Sequence, residues 1–241
     1  MDRKQQRKEQ GFVNEQTKET RRYFWISFIL VLIANLLAFQ GGRFFAKGRF
    51  HYDLSLEADS MIPFLPWTVS IYLGCFVFWF LLYRLVARLP RQEADRFFCA
   101  NLLGKAVSFL FFAFFPTILS RPELNGMTVW EKCLCLVYRI DAPDNLFPSL
   151  HCMISWLCWI GIRGNRNVPF VFRLAALSMA VAVCLVTLTT RQHVLLDVAG
   201  GVLLSEICYF CAGCRSILRG YSAFMDRVMS GTKQMKERLM V

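Results

Sequence analysis

The sequence has no internal repeat, no low-complexity tract and no linker-like run of Pro, Gly or Ser between its apolar stretches. That excludes a repeat array or a string of domains, and it leaves one folded unit with a polar tail at each end. There is no recognisable nucleic-acid module either, although Lys and Arg outnumber Asp and Glu by 28 to 17 and the net charge is +11. Nucleic acid is therefore not an expected partner. The first 22 residues carry seven Lys or Arg and four acids. They lack the short apolar region and small-residue cleavage site of a secretory signal, so the first apolar segment is expected to stay attached.

What fills the chain instead is apolar. Hydrophobic residues make up 56% and aromatic residues 15% of 241, and the mean hydropathy is +0.40, too high for an ordinary soluble domain of this length. Apolar runs recur at 23–40, 67–87, 97–119, 148–162, 170–190 and 194–212. About 20 residues are needed to cross a hydrocarbon core of about 30 Å, and lipid offers backbone polar groups no outside partner, so the segments should be helices. The expectation is an all-α polytopic membrane bundle of six transmembrane helices over 23–212, the fourth being the shortest. A basic tail over 1–22 precedes it, and a basic amphipathic tail over 213–241 follows.

Lys and Arg in short loops favour the cytoplasm. With an even number of spans, the side holding both tails and the loops at 84–96 and 163–173 carries 20 of them. The other side carries seven: Arg43, Lys47, Arg49, Arg121, Lys132, Arg139 and Arg191. This places both termini in the cytoplasm of a cell-membrane protein, with His151 and His193 near the extracytoplasmic surface. The remaining cation, Lys105, lies inside a span about 21 Å from its outer end at a rise of 1.5 Å per residue, which suits a buried partner or a snorkelling path.

Most of the ten cysteines fall within spans, where they act as small hydrophobes. Cys208, Cys211 and Cys214 have helical spacing, but no fourth ligand stands nearby, and no metal site is expected. Cys133 and Cys135 are two residues apart in an outer loop, and a mutual disulfide is not expected. In the last tail Ile217, Leu218, Tyr221, Phe224, Met225, Val228 and Met229 recur at helical spacing among arginines. Such a helix could lie on an anionic membrane surface or pack on its own bundle.

The outer loop at 121–147 is organised. NG at 125 and 126 marks a turn, TVWE at 128–131 offers a capping box, and a short helix should run to about Ile140. It ends before DAPDN, since Pro143 disfavours helix in the residue preceding it, and delivers the chain to Pro148 as a favoured first helical residue. The start of segment four, FPSLH at 147–151, then suits an anion: free amides and the positive end of a helix dipole favour phosphate. Ser149 adds a hydroxyl and His151 a titratable ring. In TTRQHVLLDVAGG, 189–201, His193 and Asp197 are four apart and share a helix face. The carboxylate can hold one ring nitrogen and leave the other free to attack. The pair could instead tie helices together, but ionisable groups at membrane depth are costly enough to favour function.

The series FFPT, RPEL, DAPDN with FPSLH, and TTRQHVLLDVAGG resembles the type 2 phosphatidic acid phosphatase superfamily. It is most similar there to the inositol phosphotransferase-like branch, which includes inositol phosphorylceramide synthases, over residues 50–210. The resemblance implies six spans and lipid phosphate substrates held among membrane lipids, with no cofactor or metal. It makes His193 a nucleophile forming a phosphohistidine, Asp197 its orienting partner, His151 the acid that protonates the leaving oxygen, and Arg121 a phosphate ligand. Three positions depart from the superfamily pattern: Phe114 stands in the lysine slot of the first motif, Leu150 in the glycine slot of the second and Thr187 in the arginine slot of the third. Arg191, two residues before His193, is the candidate substitute cation, with an interfacial anchor as its other reading. Hydrolysis and transfer to an acceptor hydroxyl share the phosphoenzyme. Asp141 and Asp144 could bind a polyol acceptor or only shape the loop. A non-catalytic membrane scaffold or carrier is the reading from outside enzymology.

Overall fold

The computed structural model describes the backbone of residues 3–238 and the side chains of residues 15–232; the ends of both expected tails lie outside the described residues. Helix α1 (Arg3–Leu36) runs through a π-helical turn at Leu37–Gly41 into α2 (Gly42–Ala46). The tail expected over 1–22 is thus continuous with the first membrane segment. Its Lys, Arg, Gln and Glu are good helix formers with no proline to stop them. Arg22 anchors this stretch by donating to the Met229 carbonyl and to Thr232 Oγ1.

A one-turn helix α3 (Glu57–Ser60) and a 3-10 turn at Pro66–Thr68 lead into α4 (Val69–Val86). The long α5 (Arg91–Phe114) follows, then α6 (Val129–Ile140), α7 (Leu150–Arg163), α8 (Phe170–Thr189), α9 (Leu195–Ala212) and α10 (Arg215–Arg238). There are no strands among the described residues, only isolated bridges pairing Tyr52 with Thr117 and Ile118 with Asp144. Helix α6 begins as its sequence indicates. Thr128 Oγ1 accepts from the Glu131 amide at 3.1 Å, and Glu131 Oε2 accepts from the Thr128 amide at 3.2 Å, with Gly126 in the preceding turn at φ +65°.

Five helical segments are long and apolar enough to cross a membrane: Glu15–Ala46, Pro66–Val86, Arg91–Phe114, Phe170–Thr189 and Leu195–Ala212. The fourth of the six expected spans is α7, which has 14 residues and is not among them. That is about 21 Å, short of a core of about 30 Å. Ten of those residues are buried, because α7 packs against α4, α5, α8 and α9. A helix walled by other helices has its surroundings set by protein rather than by bilayer thickness, so its length escapes the rule used to find it.

The core fills with Phe97, Phe98, Phe112, Met153, Leu157 and Ile162, all nearly or fully enclosed. Lys105 has the buried partner its depth called for: its ammonium donates to Asn101 Oδ1, and Asn101 Nδ2 donates to the Tyr83 hydroxyl at 2.7 Å. At the end of the bundle away from the histidines, Asp95 accepts from Tyr23 at 2.7 Å, Arg91 at 2.8 Å and Ser222 at 2.6 Å. Ser222 belongs to α10, whose Leu218, Tyr221, Met225 and Met229 are buried. The helix packs on the bundle along this face, while Ile217 and Phe224 are 38% and 45% exposed.

Helices α7 and α9 approach closely at Gly201. A methyl group on Gly201 would lie 2.4 Å from the Ser149 carbonyl oxygen and 3.1 Å from the Met153 amide nitrogen, both backbone atoms that cannot rotate away. Gly201→Ala is expected to destabilise the fold by about 1–3 kcal/mol, the usual cost of overpacking. It should also push the start of α7, and His151 with it, away from α9. A fall in melting temperature checks this.

Candidate functional site

The site is built where the starts of α4, α7 and α9 meet the ends of α1, α6 and α8. Helix α7 is capped by Ser149, whose hydroxyl oxygen accepts from the Cys152 amide at 3.3 Å and whose own amide donates to the Asp197 carbonyl at 3.0 Å. Pro148, expected to be the first helical residue, lies before this cap and after a cis peptide bond with Phe147. A serine can accept the orphan amide of the first turn and proline cannot, so the helix starts two residues later. Ser149 is fully buried in this role. His151, one residue inside α7, packs against an aromatic wall from α4, with ring centroids 4.6 Å from Tyr72, 5.6 Å from Trp79 and 6.1 Å from Phe76.

His193 sits on the turn between α8 and α9. The Thr187 carbonyl accepts from the amides of Gln192 at 2.9 Å and His193 at 3.1 Å, folding the turn back over the end of α8. Arg191 takes the left-handed backbone this needs, at φ +52°. Asp197 Oδ2 accepts from the Val194 amide at 3.1 Å and faces His193 Nδ1 at 3.3 Å. One carboxylate thus caps α9 and orients the ring. A proton on Nδ1 directed at Asp197 leaves the Nε2 lone pair free. Burial pulls His193 toward the neutral form, but the hydrogen bond and charge of Asp197 outweigh it, and the net shift is upward from 6.5. The rings of His151 and His193, 42 residues apart in sequence, have centroids 5.9 Å apart at 56°.

The cations have specific tasks. Arg121, on the extended stretch after α5, donates to the Asp141 carbonyl and to Gln192 Oε1 and lies 4.5 Å over the Tyr138 ring. This brings it to the neighbour of His193. Arg191 donates to the carbonyls of Asp59 at 2.7 Å and Ile62 at 2.8 Å, so much of its guanidinium is spent on clamping the α3 loop. Asp59 completes the clamp: its Oδ1 accepts from the Leu195 amide at 2.8 Å and its Oδ2 from the Leu56 amide at 2.7 Å. Sequence reasoning missed Asp59 and Gln192. Asp59 lies more than 130 residues from α9, and nothing local signals that pairing.

Two cavities meet at His193. One of about 420 Å³ is lined by Tyr72, Phe76, Trp79, Asp141, His151 and His193, among others. It is apolar toward α4 and polar toward the DAPDN loop, where Asp144 is paired with Arg43 at 2.6 Å. The other, of about 530 Å³, holds Arg121, Arg191, Ser55 and Asp59 with His193 on its wall. Ser149 is not among the residues lining either. The three positions that depart from the superfamily pattern lie around this site. Thr187 supplies the carbonyl that holds the His193 turn, Leu150 is enclosed at the start of α7, and Phe114 is exposed at the end of α5 with the Arg49 guanidinium 5.5 Å over its ring.

No curated protein and no solved structure matches the chain. A family model does: residues 135–210, about a third of the chain, match that of the PAP2 superfamily. The matched stretch runs from α6 through α9 and contains His151, His193 and Asp197, so the similarity falls on the segment that brings the two rings together.

Proposed function

We propose that this chain is a membrane-embedded lipid phosphatase of the PAP2 superfamily, in the inositol phosphotransferase-like branch, working through a phosphohistidine on the extracytoplasmic face. The observation that carries the reading is the 5.9 Å approach of the His151 and His193 rings with Asp197 on Nδ1 of the second. His193 Nε2 attacks phosphorus while the bond to the lipid oxygen breaks, and His151 gives its proton to that oxygen. Water, deprotonated by His151, then attacks phosphorus; the P–N bond breaks, phosphate leaves and His193 is restored. Arg121, and any guanidinium N–H of Arg191 not spent on the α3 loop, face the charge on the equatorial oxygens. Ser149 serves by fixing the first turn of α7. The proposed orientation rests on the asymmetry of Lys and Arg between the two sides.

A second reading, transfer of the phosphoryl headgroup to an acceptor hydroxyl as in inositol phosphorylceramide synthases, draws support from the polar wall of the His151 cavity. Asn35 and Asn145 line it beside Asp141, and each has a buried amide oxygen with no protein partner. These could meet hydroxyl groups that enter where water would. The test is purified enzyme with phosphorus-labelled lipid phosphates and candidate hydroxyl acceptors, in detergent with a chelator. Free labelled phosphate is the expected product; labelled acceptor without free phosphate would select transfer, and neither product from any lipid phosphate would remove both.

A further inference from the structure

Helix α6 has an apolar stripe that the protein does not cover. Val129, Leu136 and Ile140 are 70%, 58% and 73% exposed and share one face at i, i+7 and i+11, with Cys133 between them half-buried against the bundle. The adjoining face is seated on the bundle through Leu134 and Val137, which pack with Val69, Tyr72 and Val186. Lys132 and Arg139, seven residues apart and both exposed, flank the stripe along one edge. A helix with one face on protein, one apolar face free and cations at the boundary matches the pattern of a helix lying in a lipid headgroup region.

The surroundings favour lipid over another protein as the occupant. Leu73, Phe76 and Val77 of α4, one of the membrane-crossing segments, are exposed on the bundle flank, and α6 packs on α4. The stripe therefore continues a surface that lipid must already cover. Leu73, Phe76 and Ile140 are at once exposed and part of the lining of the His151 cavity. A cavity whose wall residues also face the flank opens sideways.

We propose that α6 lies in the headgroup layer of the leaflet that supplies the substrate, its stripe turned into lipid, and forms the roof of a lateral mouth between α1 and α4. This rests on the reading of the chain as a membrane lipid enzyme. A lipid phosphate sliding under α6 would bring its phosphorus to His151 and His193 while its chains remain between Phe76, Leu73 and the bilayer.

The full-length protein in vesicles tests this through Trp130, next to the stripe and 45% exposed. Its fluorescence is isolated as the difference between the wild type and Trp130→Phe. The expected result is strong quenching by lipids brominated near the carbonyl end of the chain and weak quenching by lipids brominated near the chain terminus or by aqueous iodide. Quenching by iodide alone would put α6 in water, and quenching by none of the three would put it under protein; either overturns the proposal. In a second arm, Val129→Glu combined with Leu136→Glu is expected to lower, by about tenfold, the ratio of turnover of a long-chain lipid phosphate in vesicles to that of a water-soluble phosphate monoester. An unchanged ratio would deny α6 a part in admitting lipid. Should the wild type release phosphate from no substrate, the catalytic reading fails, and the Trp130 quenching still decides where α6 lies.

Discussion

Replacing His193 with alanine is expected to lower phosphate release by at least about 10⁴-fold, because the proposed mechanism then lacks the ring nitrogen that would form its covalent intermediate. The variant should still fold. The turn is held by the Thr187 carbonyl, the Asp59 clamp and the Val194 amide on Asp197, all of which survive loss of the ring. Retained helicity and a monodisperse detergent complex, measured beside a rate at background, would separate lost chemistry from lost structure. A scaffold or carrier makes the opposite prediction, since it has no phosphate release to lose. Rates near those of the wild type would remove His193 from the reaction.

Asp197→Asn is the second large effect. Asp197 Oδ2 accepts from both the Val194 amide and His193 Nδ1, and the amide oxygen of asparagine can take that position, so cap and ring orientation can survive. What is lost is the buried negative charge facing an imidazole that, in the proposed mechanism, would become cationic on bonding to phosphorus. Stripping one partner from a buried ion pair costs about 3–5 kcal/mol, and 1.36 kcal/mol is about tenfold in rate, so kcat should fall by roughly 10²- to 10⁴-fold. The pH profile should move as well. Asp197 holds His193 above 6.5; in the proposed mechanism the neutral ring attacks, so that elevated value should set the rising limb of the wild-type kcat/KM profile. In the variant the rise should come at lower pH and reach a lower plateau.

The same shift links to stability. A histidine raised on folding favours the native state most below its unfolded value of 6.5, and that contribution is lost as pH rises through the folded value. Asp197→Asn should flatten this dependence, so the melting temperatures of the two proteins should converge at high pH. Unchanged pH profiles of both rate and stability would show that Asp197 does not act on the ring.

Much of the site was legible because its chemistry lies in short stretches. The four-residue spacing of His193 and Asp197 and the Thr128–Glu131 capping box are local relations, and both are present as hydrogen bonds. The meeting of His151 with His193 could be posed only as a requirement, since it depends on α7 and α9 packing through Gly201. What stayed hidden was long-range or collective. The Asp59 carboxylate on the start of α9 and the Gln192 amide on Arg121 join residues more than 70 positions apart. The length of α7 misled because the rule for spans assumes a lipid neighbour, and α7 has helices instead. The sequence neighbours of Arg191 point to a phosphate-binding cation, yet its guanidinium turns to the carbonyls of the α3 loop, a choice set by a backbone that periodicity does not show.

The central claim is that a phosphorus–nitrogen bond forms at His193. Purified protein mixed for milliseconds with phosphorus-labelled lipid phosphate and quenched in alkali should carry label that is stable to base and released by acid, and that maps to the peptide containing His193. Label that resists acid, or that remains on the His193→Ala protein, would contradict the account.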